Sequence, residues 1–142
     1  MGSINVGRLI LGGVVAAIVL FVIDYVLNGI ILASQWEAAM AAMNLPMMAE
    51  NAGTIIGYAV LNLIGGLTAV WIYAGIRPRF GPGATTAVYA GLAVWLASFV
   101  IPHGFFLIAG IFPASLNWIL LIVGVIEVPV ATVAGAYLYK EE

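Results

Sequence analysis

Residues 6–33 read VGRLILGGVVAAIVLFVIDYVLNGIILA. One cation, Arg8, stands at the start and one carboxylate, Asp24, lies deep within; almost everything else is apolar or small. The apolar character is continuous rather than alternating, so the stretch is not a half-buried strand or a barrel strand. About 20 residues at roughly 1.5 Å each cross a hydrocarbon core of about 30 Å. The stretch is therefore long enough to span a membrane as a helix. It also exceeds the roughly 7–15 apolar residues of a signal-peptide core, so it reads as a retained span.

Three more runs of this kind follow, at 53–75, 84–109 and 116–139. The 142-residue chain is 65% hydrophobic and 7% charged, with a mean hydropathy of +1.20. A water-soluble domain carries about 25% charged residues. So few charges cannot cover a surface facing water, and lipid is the expected solvent for most of the chain. The expected fold is all-α: a single domain over residues 1–142, with four transmembrane helices in an up-down bundle. The net charge of −2 gives no basis for a nucleic-acid partner. Cysteine is absent, which excludes disulfides, thiolate metal sites and iron–sulfur clusters.

The connections are short. Residues 34–51 read as an interfacial segment: Gln35, Trp36, Glu37, Met40 and Met43 alternate polar and apolar character at helical spacing, and Asn44-Leu45-Pro46 ends the turn. Residues 77–83, Arg-Pro-Arg-Phe-Gly-Pro-Gly, read as a tight basic turn. Residues 112–115 read as a hairpin with Ser115 as helix N-cap.

Orientation follows from the cations Arg8, Arg77, Arg79 and Lys140. With four crossings they all fall on one side, whereas the other side carries Glu37 and Glu50 and no cation. The positive-inside rule then places both termini in the cytoplasm, in a membrane read as a bacterial inner membrane. Arg77 and Arg79 are also expected to meet anionic lipid headgroups.

Apolar side chains gain nothing by leaving lipid for one another, so membrane helices associate through small residues and polar contacts. The candidate packing residues are Gly12 and Gly13 in the first span, Gly57, Gly65 and Gly66 in the second, Gly91, Ala97 and Ser98 in the third, and Gly124, Ala131 and Gly135 in the fourth. They pack the bundle internally or dock another chain.

Five polar residues lie inside the spans: Asp24, Asn28, Asn62, His103 and Glu127. Counted from the cytoplasmic ends, Asp24, Asn62, His103 and Glu127 lie roughly 24, 21, 28 and 20 Å deep, which predicts one polar layer in the outer half of the membrane. A charged carboxylate at such depth costs about 2.5–3.5 kcal/mol, so protonation, pairing with His103 or a bound cation must relieve it. Glu127 lies on the small-residue face of its helix, which is expected to face protein. Pro102 and Pro129 deprive the Ser98 and Val125 carbonyls of their usual donors and predict kinks beside this layer. The layer is open to three readings: a structural hydrogen-bond network, a proton or small-solute pathway, or a metal or pigment site through His103. No Glu-x-x-His or His-x-x-x-His pairing supports a metal, and no cofactor is named by the sequence.

No phosphate loop, nucleophile elbow or Cys-x-x-Cys occurs, and the expectation is a non-enzymatic protein. Its leading functional reading is association, as an accessory subunit of a membrane complex or as a homo-oligomer, with lipid and other membrane chains as partners. The alternative is a small transporter or proton-conducting element using Asp24, His103 and Glu127. Asn28-Gly29 followed by Trp36, Gly91-Leu92-Ala93-Val94-Trp95 running into Pro102, and the end of the fourth span around Gly135 resemble a family of small four-helix bacterial membrane proteins catalogued as a domain of unknown function. The resemblance implies the same four-span layout and carries no assigned activity.

Overall fold

A computed structural model describes residues 4–46, 49 and 51–141. Six α-helices run in the order α1 (Val6–Asp24), α2 (Ala33–Ala42), α3 (Ala52–Phe80), α4 (Ala84–Trp95), α5 (Ile101–Ala109) and α6 (Ala114–Leu138). A π-helical segment, Tyr25–Ile31, extends α1, and a second, Leu96–Val100, joins α4 to α5. The chain is thus all-helical among the described residues, with four continuous helices long and apolar enough to cross a membrane: Val6–Ile31, Ala52–Phe80, Ala84–Ala109 and Ala114–Leu138.

Each π segment has a local cause. Asn28 Nδ2 donates to the Asp24 carbonyl at 3.2 Å, competing with the backbone donor that an α-helix would place there. The following amides move one residue back, and Leu32 N–H donates to the Leu27 carbonyl. In the second case Pro102 has no N–H to give. The π turn ends with Ile101 N–H on the Leu96 carbonyl, so Pro102 falls in the first turn of α5, where a missing donor costs nothing.

Some boundaries differ from the sequence expectation. Helix α3 continues through Arg77, Pro78 and Arg79 to Phe80, so the turn shrinks to residues 81–83. Gly81 (φ 83°) and Gly83 (φ 130°) supply the left-handed backbone, Gly81 N–H caps the Arg77 carbonyl, and Thr86 Oγ1 donates to the Gly81 carbonyl at 2.7 Å. Ser115 is not an N-cap. It lies inside α6, which starts one residue earlier because Pro113 takes the cap position and its carbonyl accepts from Leu116 and Asn117. Helix α6 passes through Pro129 without a break. The interfacial segment forms α2 and ends at Asn44, φ 55°. Glu50 lies outside the described residues.

Helix α6 is the most buried of the long helices and packs against α1 and α4, while α3 packs mainly against α1 and α4. The contacts are backbone to backbone at glycines. A Cβ on Gly12 would stand 2.5 Å from the Gly135 carbonyl, one on Gly13 would stand 2.9 Å from Leu67 Cα, and one on Gly66 would meet Gly13 and Ala17. A Cβ on Gly91 would stand 2.6 Å from Pro129 Cα, and one on Gly124 would strike the Phe99 ring. Ala131 is buried at the same seam, and Gly65 is half-buried with open room before Leu20. Gly57 meets nothing, and Ala97 and Ser98 are exposed, because the π turn at 96–100 swings that face out of the bundle.

The N-terminal end of α1, the α3–α4 turn and the C-terminal tail gather at one end. Arg77 Nη1 lies 3.3 Å from Glu141 Oε2, its guanidinium sits 5.7 Å from the Tyr139 ring centre, and the Asn5 backbone lies beside the Tyr139 hydroxyl. Tyr73 stacks edge-on against Tyr139 and its hydroxyl accepts from Gly83 N–H. Arg8 is half-buried, and Arg79 and Lys140 are exposed.

Replacing Gly135 by Leu forces backbone apart and is expected to destabilise the bundle by about 1–3 kcal/mol or more. Gly57→Ala, in open space, is expected to shift stability by less than about 0.5 kcal/mol. Equilibrium unfolding in mixed detergent micelles, followed by circular dichroism, measures both.

Candidate functional site

The five polar residues predicted to share one layer do not all meet. Asp24, Asn62 and Glu127 meet where α1, α3 and α6 come together. Their helices reach that point in consistent register: Gly13 lies against Leu67, Ala17 against Gly66, Leu20 against Gly65, and Asp24 against Asn62. Residue numbers rise along α1 as they fall along α3. The same opposed register relates α1 to α6, from Gly12 beside Gly135 to Asp24 beside Glu127.

Glu127 is 2% exposed, and neither carboxyl oxygen receives a hydrogen bond from any N–H or hydroxyl group of the described residues. The Asp24 carboxyl is its acidic neighbour. Asn62 Nδ2 donates to the Tyr58 carbonyl at 3.1 Å, and its side chain lies near the Asp24 carboxyl.

His103 and Asn28 lie elsewhere. His103 Nδ1 is 2.8 Å from Asn117 Oδ1. Asn117 and Glu127 are ten residues apart on α6, or about 15 Å along the axis, so His103 is not part of the carboxyl site. The depth count failed because it treated α4 and α5 as one straight helix from Ala84 and gave no weight to where α6 offers a partner. Asn117, buried and absent from the expected set, is that partner. Its position two residues into the fourth run, beside Pro113, made it look like a helix-end residue. Its Nδ2 donates to the Phe112 and Pro113 carbonyls at 3.4 and 3.3 Å, which turns Oδ1 toward the imidazole. In the neutral imidazole this contact places the proton on Nδ1, which donates to Asn117 Oδ1. Phe99 and Phe106 flank the ring at about 6 Å, and Phe106, Phe112 and Trp36 continue the aromatic chain edge to face. Trp36 Nε1 donates to Asn28 Oδ1 at 3.0 Å, so Asn28 fastens α2 to the π turn that ends the first span.

Among the described residues no cluster of three or more His, Asp or Glu side chains is disposed to hold a metal ion. Leu20, Ala69, Val128 and Ala131 form an apolar cluster on the same helices.

His103 is the sole histidine, so nitrogen-15 NMR reads it without overlap. The wild type is expected to show the Nδ1–H tautomer at neutral pH, and Asn117→Leu to release a mixture of both. Comparison with family models, curated proteins and solved structures returns no match.

Proposed function

We propose that the chain is an integral protein of a bacterial inner membrane whose activity is to bind and pass a proton at the Asp24–Glu127 pair. In this reading the four long helices cross the bilayer up and down, and Arg8, Arg77, Arg79 and Lys140 mark the cytoplasmic side. The termini gather with the α3–α4 turn at one end, which supports an even number of crossings. The family resemblance implies the same layout. The carrying observation is Glu127: a carboxyl 2% exposed, with no donor to either oxygen, beside a second carboxyl. A structural network would normally give such a group its partners, because an unsatisfied buried acceptor costs about 1–3 kcal/mol. An ionisable residue held in mid-membrane against that cost is a functional group by default. No bond to the substrate is made or broken, so the protein is read as a proton-conducting or proton-coupled element rather than an enzyme.

The test is proton uptake into proteoliposomes driven by a potassium diffusion potential and followed with a trapped pH dye. Wild type is expected to exceed empty vesicles. Asp24→Asn and Glu127→Gln are expected to fall to the empty-vesicle rate, and His103→Gln to keep most of the flux. No flux from correctly folded wild-type protein sinks the reading.

Topology has a simple reporter, since the chain lacks cysteine. An impermeant maleimide added to spheroplasts is expected to label Gln35→Cys and to spare Thr85→Cys.

A second reading, association as an accessory subunit or homo-oligomer, has its own observation. The first half of α3 is exposed on nearly every side. Mass measurement in mild detergent tests it, and a strictly monomeric particle without partners counts against it.

A further inference from the structure

The seam between α1 and α3 leaves a groove on its outer side. Gly13 rests against Leu67, and next to that contact Leu9, Ile10, Leu67, Thr68 and Trp71 line an open hollow of about 330 Å³. Ile10, Thr68 and Trp71 are exposed, so the hollow opens away from the bundle. Thr68 Oγ1 donates to the Ile64 carbonyl at 2.7 Å, so the one hydroxyl in the lining has already spent its hydrogen. The indole N–H groups of Trp36 and Trp95 donate within the chain, to Asn28 and to the Leu121 carbonyl. Trp71 is 58% exposed, and its N–H has no acceptor among the described residues. The hollow thus offers hydrocarbon contact and a single free donor.

A cation stands on the same stripe of α3. Thr68, Ile72, Gly75 and Arg79 follow one another at intervals of four, three and four residues, and about 12 Å of axis separates Trp71 from Arg79. Gly75 lies midway between those two, and a Cβ there would meet nothing within 4 Å, so the path is clear. Helical side chains lean toward the N-terminus of their helix, which carries Arg79 over Gly75 toward the hollow. Arg77 is already engaged, by Glu141 and the Tyr139 ring. Arg79 is exposed, and no ion pair or hydrogen bond among the described residues engages its side chain. Its planar fork matches a phosphate. A zwitterionic headgroup would bring a cation of its own to that place, whereas an anionic one leaves the charge of Arg79 matched.

We propose that the groove between α1 and α3 holds one anionic phospholipid from the leaflet on the side of the termini. An acyl chain lies along Leu9, Ile10, Leu67 and Thr68, the Trp71 indole N–H donates to an ester carbonyl, and Arg79 pairs with the headgroup phosphate. The site rests on the membrane-spanning reading above and is independent of the proton reading.

The probe is phosphatidylglycerol with brominated acyl chains, a contact quencher of tryptophan, as the minor lipid in phosphatidylcholine nanodiscs that hold the full chain. A second set of discs carries the bromines on phosphatidylcholine instead. Subtracting the signal of Trp71→Phe isolates Trp71. Brominated phosphatidylglycerol is expected to quench Trp71 at least about fivefold beyond its share of the bilayer, the excess that one arginine gives near a membrane surface. Arg79→Gln and Gly75→Leu are each expected to bring the quenching down to that share, Arg79→Lys to keep part of the excess, and Lys140→Gln to leave it unchanged. Arg79 and Gly75 are exposed, so these substitutions spare the packed seams. Quenching in proportion to bulk composition overturns the proposal, as does an excess that survives Arg79→Gln. Equal loss in Lys140→Gln also overturns it, because the preference then belongs to the charge of the whole end. Quenching by neither lipid in discs that contain the chain means that protein covers the groove, and overturns it while leaving the membrane reading intact. A chain that does not enter the discs removes both.

Discussion

The architecture depends on backbone reaching backbone at glycine. Gly12 with Gly135, Gly13 with Leu67, Gly66 with Ala17 and Gly91 with Pro129 leave no room for a single added carbon. In hydrocarbon, burying a leucine gains nothing over leaving it in lipid, so the attraction between helices comes from dispersion at short range and falls steeply with any gap. The glycines bring α1 against α3, and α1 and α4 against α6, at that range. They also fix the height of each helix relative to its neighbours, and the meeting of Asp24, Asn62 and Glu127 is a consequence of that register.

That meeting runs against the rest of the packing. The glycine seams contribute close contact with no polar cost, whereas the carboxyl pair places two acids near a single amide. Replacing such a pair by apolar residues of like volume is commonly neutral or favourable for stability. The second polar group is different. His103, Asn117 and the Phe112 and Pro113 carbonyls satisfy one another, as do Asn28 and Trp36, and both sets tie short segments to the bundle.

Much of this was legible in the sequence, and the reasons are physical. Length and apolar continuity were enough for the four long helices, since few other elements use twenty consecutive apolar residues. The burial of Glu127 on the Gly124, Ala131 and Gly135 stripe followed from helical spacing alone. What depth counting along single helices could not supply was pairing between helices. Asp24, Asn62 and His103 each had a depth, but only α6 decides which of them meets Glu127 and which meets Asn117. The extent of α3 was missed for a related reason. Arg77-Pro78-Arg79 looks like a turn by composition, yet a proline near a helix end loses one hydrogen bond, and the ion pair and ring contacts of Arg77 hold that last turn in place.

The burial of α6 has a consequence for the order of assembly. A ribosome releases this chain from its N-terminus, so α6 emerges last. Until it arrives, the surfaces of Gly12, Val70 and Gly91 that will receive it have nothing to close upon, and only the α1–α3 and α3–α4 seams can form. Asp24 and Glu127 come together only when the last helix is seated.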